Sequence, residues 1–167
     1  HTNMDTLVEL YIDRAQNEIE LATSVFKISK DASIKPQLGI REGATFYSAV
    51  ISHSYYAIFY SAKAVLLLKG IRTSAPEEHK KTLLAFEKEL VDTGYVDVRL
   101  LEIYKKLVIE ADTLLEIFSL EKSKRGKFTY HKIAQANEMP ANESIENAKT
   151  FFKNINAIVE HELDKKG

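Results

Sequence analysis

The chain has 167 residues, 45% of them hydrophobic and 28% charged, and a formal net charge of -1. That length can bury a core of its own, and the near-neutral charge excludes a global field that would draw the protein onto nucleic acid, so any such binding needs a local patch. The absence of cysteine excludes a disulfide framework and a thiolate metal site, and it suits a cytoplasmic setting.

His1-Thr2-Asn3 ahead of Met4 reads as the remnant of an expression tag, which leaves residues 4–167 as one expected domain. From Asp5 to about Lys30, apolar residues at Leu7, Tyr11, Ala15, Ile19, Ala22 and Phe26 fall three and four apart and predict an amphipathic helix. The stretch DASIKPQLGIREGA, with Pro36, Gly39 and Gly43, breaks it. A second helix is predicted from about Thr45 to Lys69, with Gly70 as its stop. Ser74 and Glu77 have capping-box spacing, Pro76 fits a first turn, and Gly94 ends a third helix whose inner face carries Leu83, Phe86 and Leu90.

A fourth helix can start at Asp97, with Leu100, Tyr104, Leu107, Ala111, Leu114 and Phe118 on one side. The last is capped near Ser144 and lines up Ile145, Ala148, Phe152, Ile155, Val159 and Leu163. Together these predict an all-α fold, an antiparallel up-and-down bundle of four long helices plus a shorter helix. The most apolar segment, Phe46 to Leu68, is interrupted by Ser48, Ser52, His53, Ser54, Ser61 and Lys63. Its longest unbroken apolar run, Ala64 to Leu68, falls far short of the roughly 20 residues a membrane span requires, so no membrane association is expected.

One connection is long. Between Leu120 and Ser144 the helical pattern weakens, and connections beyond about 12–15 residues in compact domains tend to be functional or unstructured. This one carries Lys122, Lys124, Arg125, Lys127, His131 and Lys132, with Phe128 and Tyr130 among them. It reads either as a solvated basic loop or as a phosphate-binding segment. In the second case Arg125 offers a planar fork for two phosphate oxygens, and His131 can exchange a proton near neutrality. Tyr130 and Phe128 give rings on which an unpaired base can stack. Such a set suits metal-independent RNA cleavage. The histidine assists the ribose 2′-OH in attacking the adjacent phosphate, and the guanidinium stabilises the charge that develops.

The second predicted helix carries a polar stripe of Ser48, Ser52, Tyr56, Tyr60 and Lys63, with His53 and Tyr55 at its margins. Two readings fit it: a wet groove or subunit interface, or tyrosines that bury their rings and hydrogen-bond at their tips. The five histidines, His1, His53, His79, His131 and His161, form no HExxH or similar metal pattern. His79 and His161 are expected at the surface. No glycine-rich phosphate loop and no Ser/His/Asp signature is present.

The run REGATFYSAVISHSYYAIFYSAKAVLLLKGIRTSAPEEHKKTLLAFEKELVDTGYVD resembles the HEPN domains (higher eukaryote and prokaryote nucleotide-binding), in particular their small stand-alone prokaryotic branch. The likeness rests on the Arg41 entry, the helix from Tyr55-Tyr56-Ala57 to Ala64, the Leu67–Gly70 stop, the His79 helix and the Thr93-Gly94 ending, and it extends through Arg125 to the AKTFFKNI helix. The resemblance implies a helical bundle, commonly dimeric, in which many members are metal-independent ribonucleases with an arginine followed at a short interval by a histidine. RGKFTYH fits this through Arg125 and His131. Carried over, Arg125 and His131 are the catalytic pair and Tyr130 positions substrate; Lys127 and Lys124 of the basic loop and Ser52, Tyr56 and Lys63 of the polar stripe are the further residues expected to bind substrate. No cofactor is implied, and the cleft forms where two protomers meet. Toxin members are held by a nucleotidyltransferase-like antitoxin. The branch tends to carry Arg-x-x-Ala-Asp-Tyr here. On that alignment Arg125 and Tyr130 match, Thr129 replaces the aspartate, and His131 falls just beyond. A non-catalytic module that binds a nucleotide, RNA or a nucleotidyltransferase partner is the alternative.

Overall fold

The computed structural model describes residues 2–115 and 138–167. Its helices are α1 (Asn3–Lys30), the one-turn α2 (Ile34–Gln37), α3 (Tyr47–Leu68), α4 (Glu78–Ala85), α5 (Val98–Leu115) and α6 (Glu138–Lys166). α4 runs straight into a π-helical turn, Phe86–Val91. No strand occurs among the described residues. The protein is an all-α helical bundle.

Cross-helix contacts give the directions. Tyr11 and Arg14 meet Tyr60 while Phe26 meets Tyr47, so α1 and α3 are antiparallel. Asp5 holds Lys166 at 3.0 Å and Lys30 reaches Glu138, so α1 and α6 are antiparallel too. Glu110 accepts a hydrogen bond from Ser144 while Tyr104 packs edge-on against Phe151, which sets α5 against α6. The four long helices run up, down, up, down, and α4 lies between α3 and α5 in the chain.

α3 is the central element, with neighbours on every side: it packs against α1, α6, α5 and α4. Its composition suits that place, because Ala57, Ala62 and Ala64 allow close helix approach while Ile58, Val65, Leu66 and Leu67 fill the space between. Gly70 ends it with φ +76°; its N–H donates to Leu67 and that of Ile71 to Leu66, a left-handed stop that a Cβ would disfavour. The core proper centres on Phe86, Tyr104 and Phe151, whose rings meet at centroid distances of 5.4 to 5.7 Å.

Several sequence expectations are corrected. The first helix, expected from Asp5, begins at Asn3 and is capped by Thr2 through a reciprocal box with Asp5. The segment expected as a plain break contains α2. The Ser74/Glu77 capping box does not form: Pro76 precedes the helix rather than opening its first turn, and Glu77 stands outside it in a left-handed conformation (φ 56°). The last helix starts at Glu138, well before Ser144, whose hydroxyl serves Pro140 and Glu110 instead of a cap. Asp97 does precede α5 and accepts from the Arg99 N–H at 2.8 Å. Phe118, assigned to that helix, lies outside the described residues.

Candidate functional site

α3 sorts its polar residues by how far each faces inward. Tyr55 is fully buried, and its hydroxyl lies 2.7 Å from His79 Nδ1 at the start of α4. Burial pushes the Tyr55 phenol far up and His79 down, so both are held neutral. His79 also stacks on Phe59 at 4.2 Å, so it is half-buried and not the surface residue the sequence suggested.

Tyr56 and Tyr60 are half-buried. The Tyr60 hydroxyl accepts from Arg14 at 2.9 Å, its ring stacks on Tyr11, and the Arg14 guanidinium lies over it at 4.4 Å. One helical turn before Tyr56, His53 Nδ1 lies 2.6 Å from a Glu18 carboxylate oxygen. Burial raises the Tyr56 phenol, helped by the neighbouring Tyr60 and Glu18. The tyrosine reading of the stripe fits Tyr55, buried with a bonded tip, and Tyr60, half-buried with its hydroxyl on Arg14, while Tyr56 is half-buried.

Lys63 is, with Lys35, one of two buried lysines among the described residues. It is only 8% exposed, and its ammonium donates to Glu78 at 2.7 Å and to the Thr73 carbonyl. The rings of Tyr11 and Phe59 flank it. Lys63, Tyr11 and Glu78 border a cleft of about 410 Å³ lined also by Leu7, Leu67 and the Ile71–Ser74 strap.

Of the substrate-binding residues expected from sequence, Ser52 returns its hydroxyl to the Ser48 carbonyl of its own helix, Tyr56 is half-buried, and Lys63 lines the cleft. They spread over about 16 Å of one helix at 1.5 Å per residue and are not gathered into one pocket. Arg125, His131, Tyr130, Lys127 and Lys124 lie outside the described residues. Sequence reasoning missed Glu78 and His79 as partners of α3. The signal for the first was a single lysine, Lys63, inside an otherwise apolar run, which demands a buried counter-charge. Among the described residues no His/Asp/Glu group is arranged to hold a metal ion, and no helix is long and apolar enough to cross a membrane.

No family model matches the chain, and no solved structure does. Several curated proteins are similar to it. A Methanocaldococcus jannaschii protein named "Putative toxin MJ0142" is 26% identical over 130 residues, 75% of this chain and 73% of that protein. A Thermotoga maritima "UPF0332 protein" is 29% identical over 112 residues, 67% of this chain and 72% of its own length. A second M. jannaschii protein, "Putative toxin MJ0605", is 34% identical over 68 residues, 41% of this chain and 46% of that protein.

Proposed function

We propose that this chain is a HEPN-type toxin, a metal-independent endoribonuclease that works as a homodimer and is restrained by a nucleotidyltransferase-like antitoxin. The observation that carries the toxin assignment is the similarity to the protein named "Putative toxin MJ0142" across about three quarters of both chains. The RGKFTYH segment supports the chemistry. Arg125 holds the scissile phosphate and stabilises its developing negative charge, and His131 takes the proton of the attacking 2′-OH. Tyr130 positions the base, and Lys124 and Lys127 attract the backbone. Ser52 and Tyr56, on the central helix, add polar contacts to the same strand.

The test is incubation of the purified protein with single-stranded RNA in EDTA, beside Arg125→Ala and His131→Ala variants. Cleavage by the wild type that both variants lose supports the enzyme. No cleavage across a panel of RNAs, or cleavage that survives both substitutions, overturns it. The second reading, a non-catalytic module that binds RNA, a nucleotide or a nucleotidyltransferase, is favoured by one observation. On the Arg-x-x-Ala-Asp-Tyr alignment His131 falls one position beyond the matched tyrosine.

A further inference from the structure

The Lys63 cleft lies at the opposite end of the bundle from the points where the chain leaves α5 and re-enters α6. Val50, near the start of α3, packs with Ala141 and Ile145 of α6, whereas the cleft is built from Leu7 and Tyr11 near the start of α1 and Leu67 at the end of α3. The separation along α3 from Val50 to Leu67 is about 25 Å.

The cleft walls differ in chemistry. An ammonium has three N–H donors, and among the described residues Lys63 places two, on Thr73 and Glu78. Beside it the Arg72 guanidinium lines the cleft and has no hydrogen-bond or ion-pair partner among the described residues. The Ser74 hydroxyl is likewise uncommitted there, while its carbonyl is met by a further cation, Lys81, at 3.4 Å. Glu78 is the one carboxylate in the lining, and Lys63 already engages it. Leu7, Tyr11, Leu67 and Ile71 complete the lining. A volume of about 410 Å³ falls in the range of small-molecule sites, and a few polar donors set among apolar side chains are how such sites orient a ligand.

We propose that this cleft binds a small phosphomonoester, its phosphoryl oxygens on Lys63, Arg72 and Ser74 and its apolar body against Tyr11, Leu67 and Ile71. A phosphomonoester suits three separate donor groups better than a carboxylate does, because it presents three oxygens, and the arginine fork can take two of them. Lys63 is already desolvated and fixed by Glu78, so little side-chain entropy is lost when the anion arrives. The site does not depend on RNA cleavage by the Arg125 segment.

The test follows the amide spectrum of the full ¹⁵N-labelled chain during titration with phenyl phosphate, with phenol, inorganic phosphate and benzoate as comparisons. Saturable shifts at Tyr11, Ile71 to Ser74 and Glu78 are expected. Phenyl phosphate should bind more tightly than either half of itself or benzoate. Arg72 is exposed, so Arg72→Ala should fold and weaken phenyl phosphate about tenfold, the loss of one charge-assisted contact. The absence of saturable shifts at millimolar ligand overturns the proposal. So do shifts scattered over surface lysines, undiminished binding to Arg72→Ala, or tighter binding of benzoate.

Discussion

The hydroxyl of Tyr55, at the heart of α3, lies 2.7 Å from Nδ1 of His79, in the first turn of α4. This pair ties the short helix to the central one, and the His79 ring covers Phe59 as it does so. Replacing His79 with alanine strands a buried phenol and removes a stacked ring. The expected cost is about 2–4 kcal/mol. Tyr55→Phe leaves the unpaired atom on half-buried His79 and should cost only about 1 kcal/mol. Urea unfolding of both variants checks this, and equal losses would mean the hydrogen bond is not what matters.

The same histidine makes stability depend on pH. Burial lowers its folded pKa below the ordinary 6.5, so the unfolded chain binds a proton more readily. The contribution of neutral His79 is therefore fully present above pH 6.5 and declines as pH falls through that value toward the depressed one. Unfolding free energy measured on either side of 6.5 should fall more steeply for the wild type than for His79→Gln. Parallel profiles would show that other groups carry the dependence.

Lys63 and Glu78 form a partly buried ion pair whose burial is unequal: the side chains are 9% and 35% exposed. Glu78→Gln leaves a desolvated ammonium with the Thr73 carbonyl and a weaker amide partner, at an expected cost of about 1–3 kcal/mol, below that of a fully buried pair. Lys63→Met keeps the volume and frees Glu78 to meet water, for about 1 kcal/mol or less. The reverse order in chemical denaturation would contradict this assignment of the buried charge.

Adjacent phenylalanines in α6 should behave differently. Phe151 is fully buried between Phe86 and Tyr104, while Phe152 is half-buried. Phe151→Ala should cost about 3–5 kcal/mol and Phe152→Ala clearly less. Thermal melts of the two variants decide it.

That last contrast marks where sequence reading reaches its limit. Phe152 fitted the apolar stripe with Ile145, Ala148, Ile155 and Val159, but Phe151 meets the same spacing almost as well, since both lie three or four residues from Ala148 and Ile155. Which one enters the core is settled by the gap that Phe86 and Tyr104 leave. The cap expected at Ser144 failed for a related reason. A serine inside a helix can return its hydroxyl to the preceding turn, as Ser144 does to Pro140, and sequence alone cannot tell that from a cap.

The positions of α1, α3 and α5 and the all-helical character were legible in the residues, because periodic apolar spacing and terminal signals act within a few turns of one helix. The lone lysine of α3 was legible too, but its counter-charge was not. Glu78 and His79 reach Lys63 and Tyr55 only after the chain turns back beyond Gly70, and that return brings together residues with no periodic relation to one another. Local spacing determined which segments coil. The partners of the charged and aromatic side chains were decided only when those coils packed, because burial, and the need to satisfy what is buried, exists only in the assembled bundle.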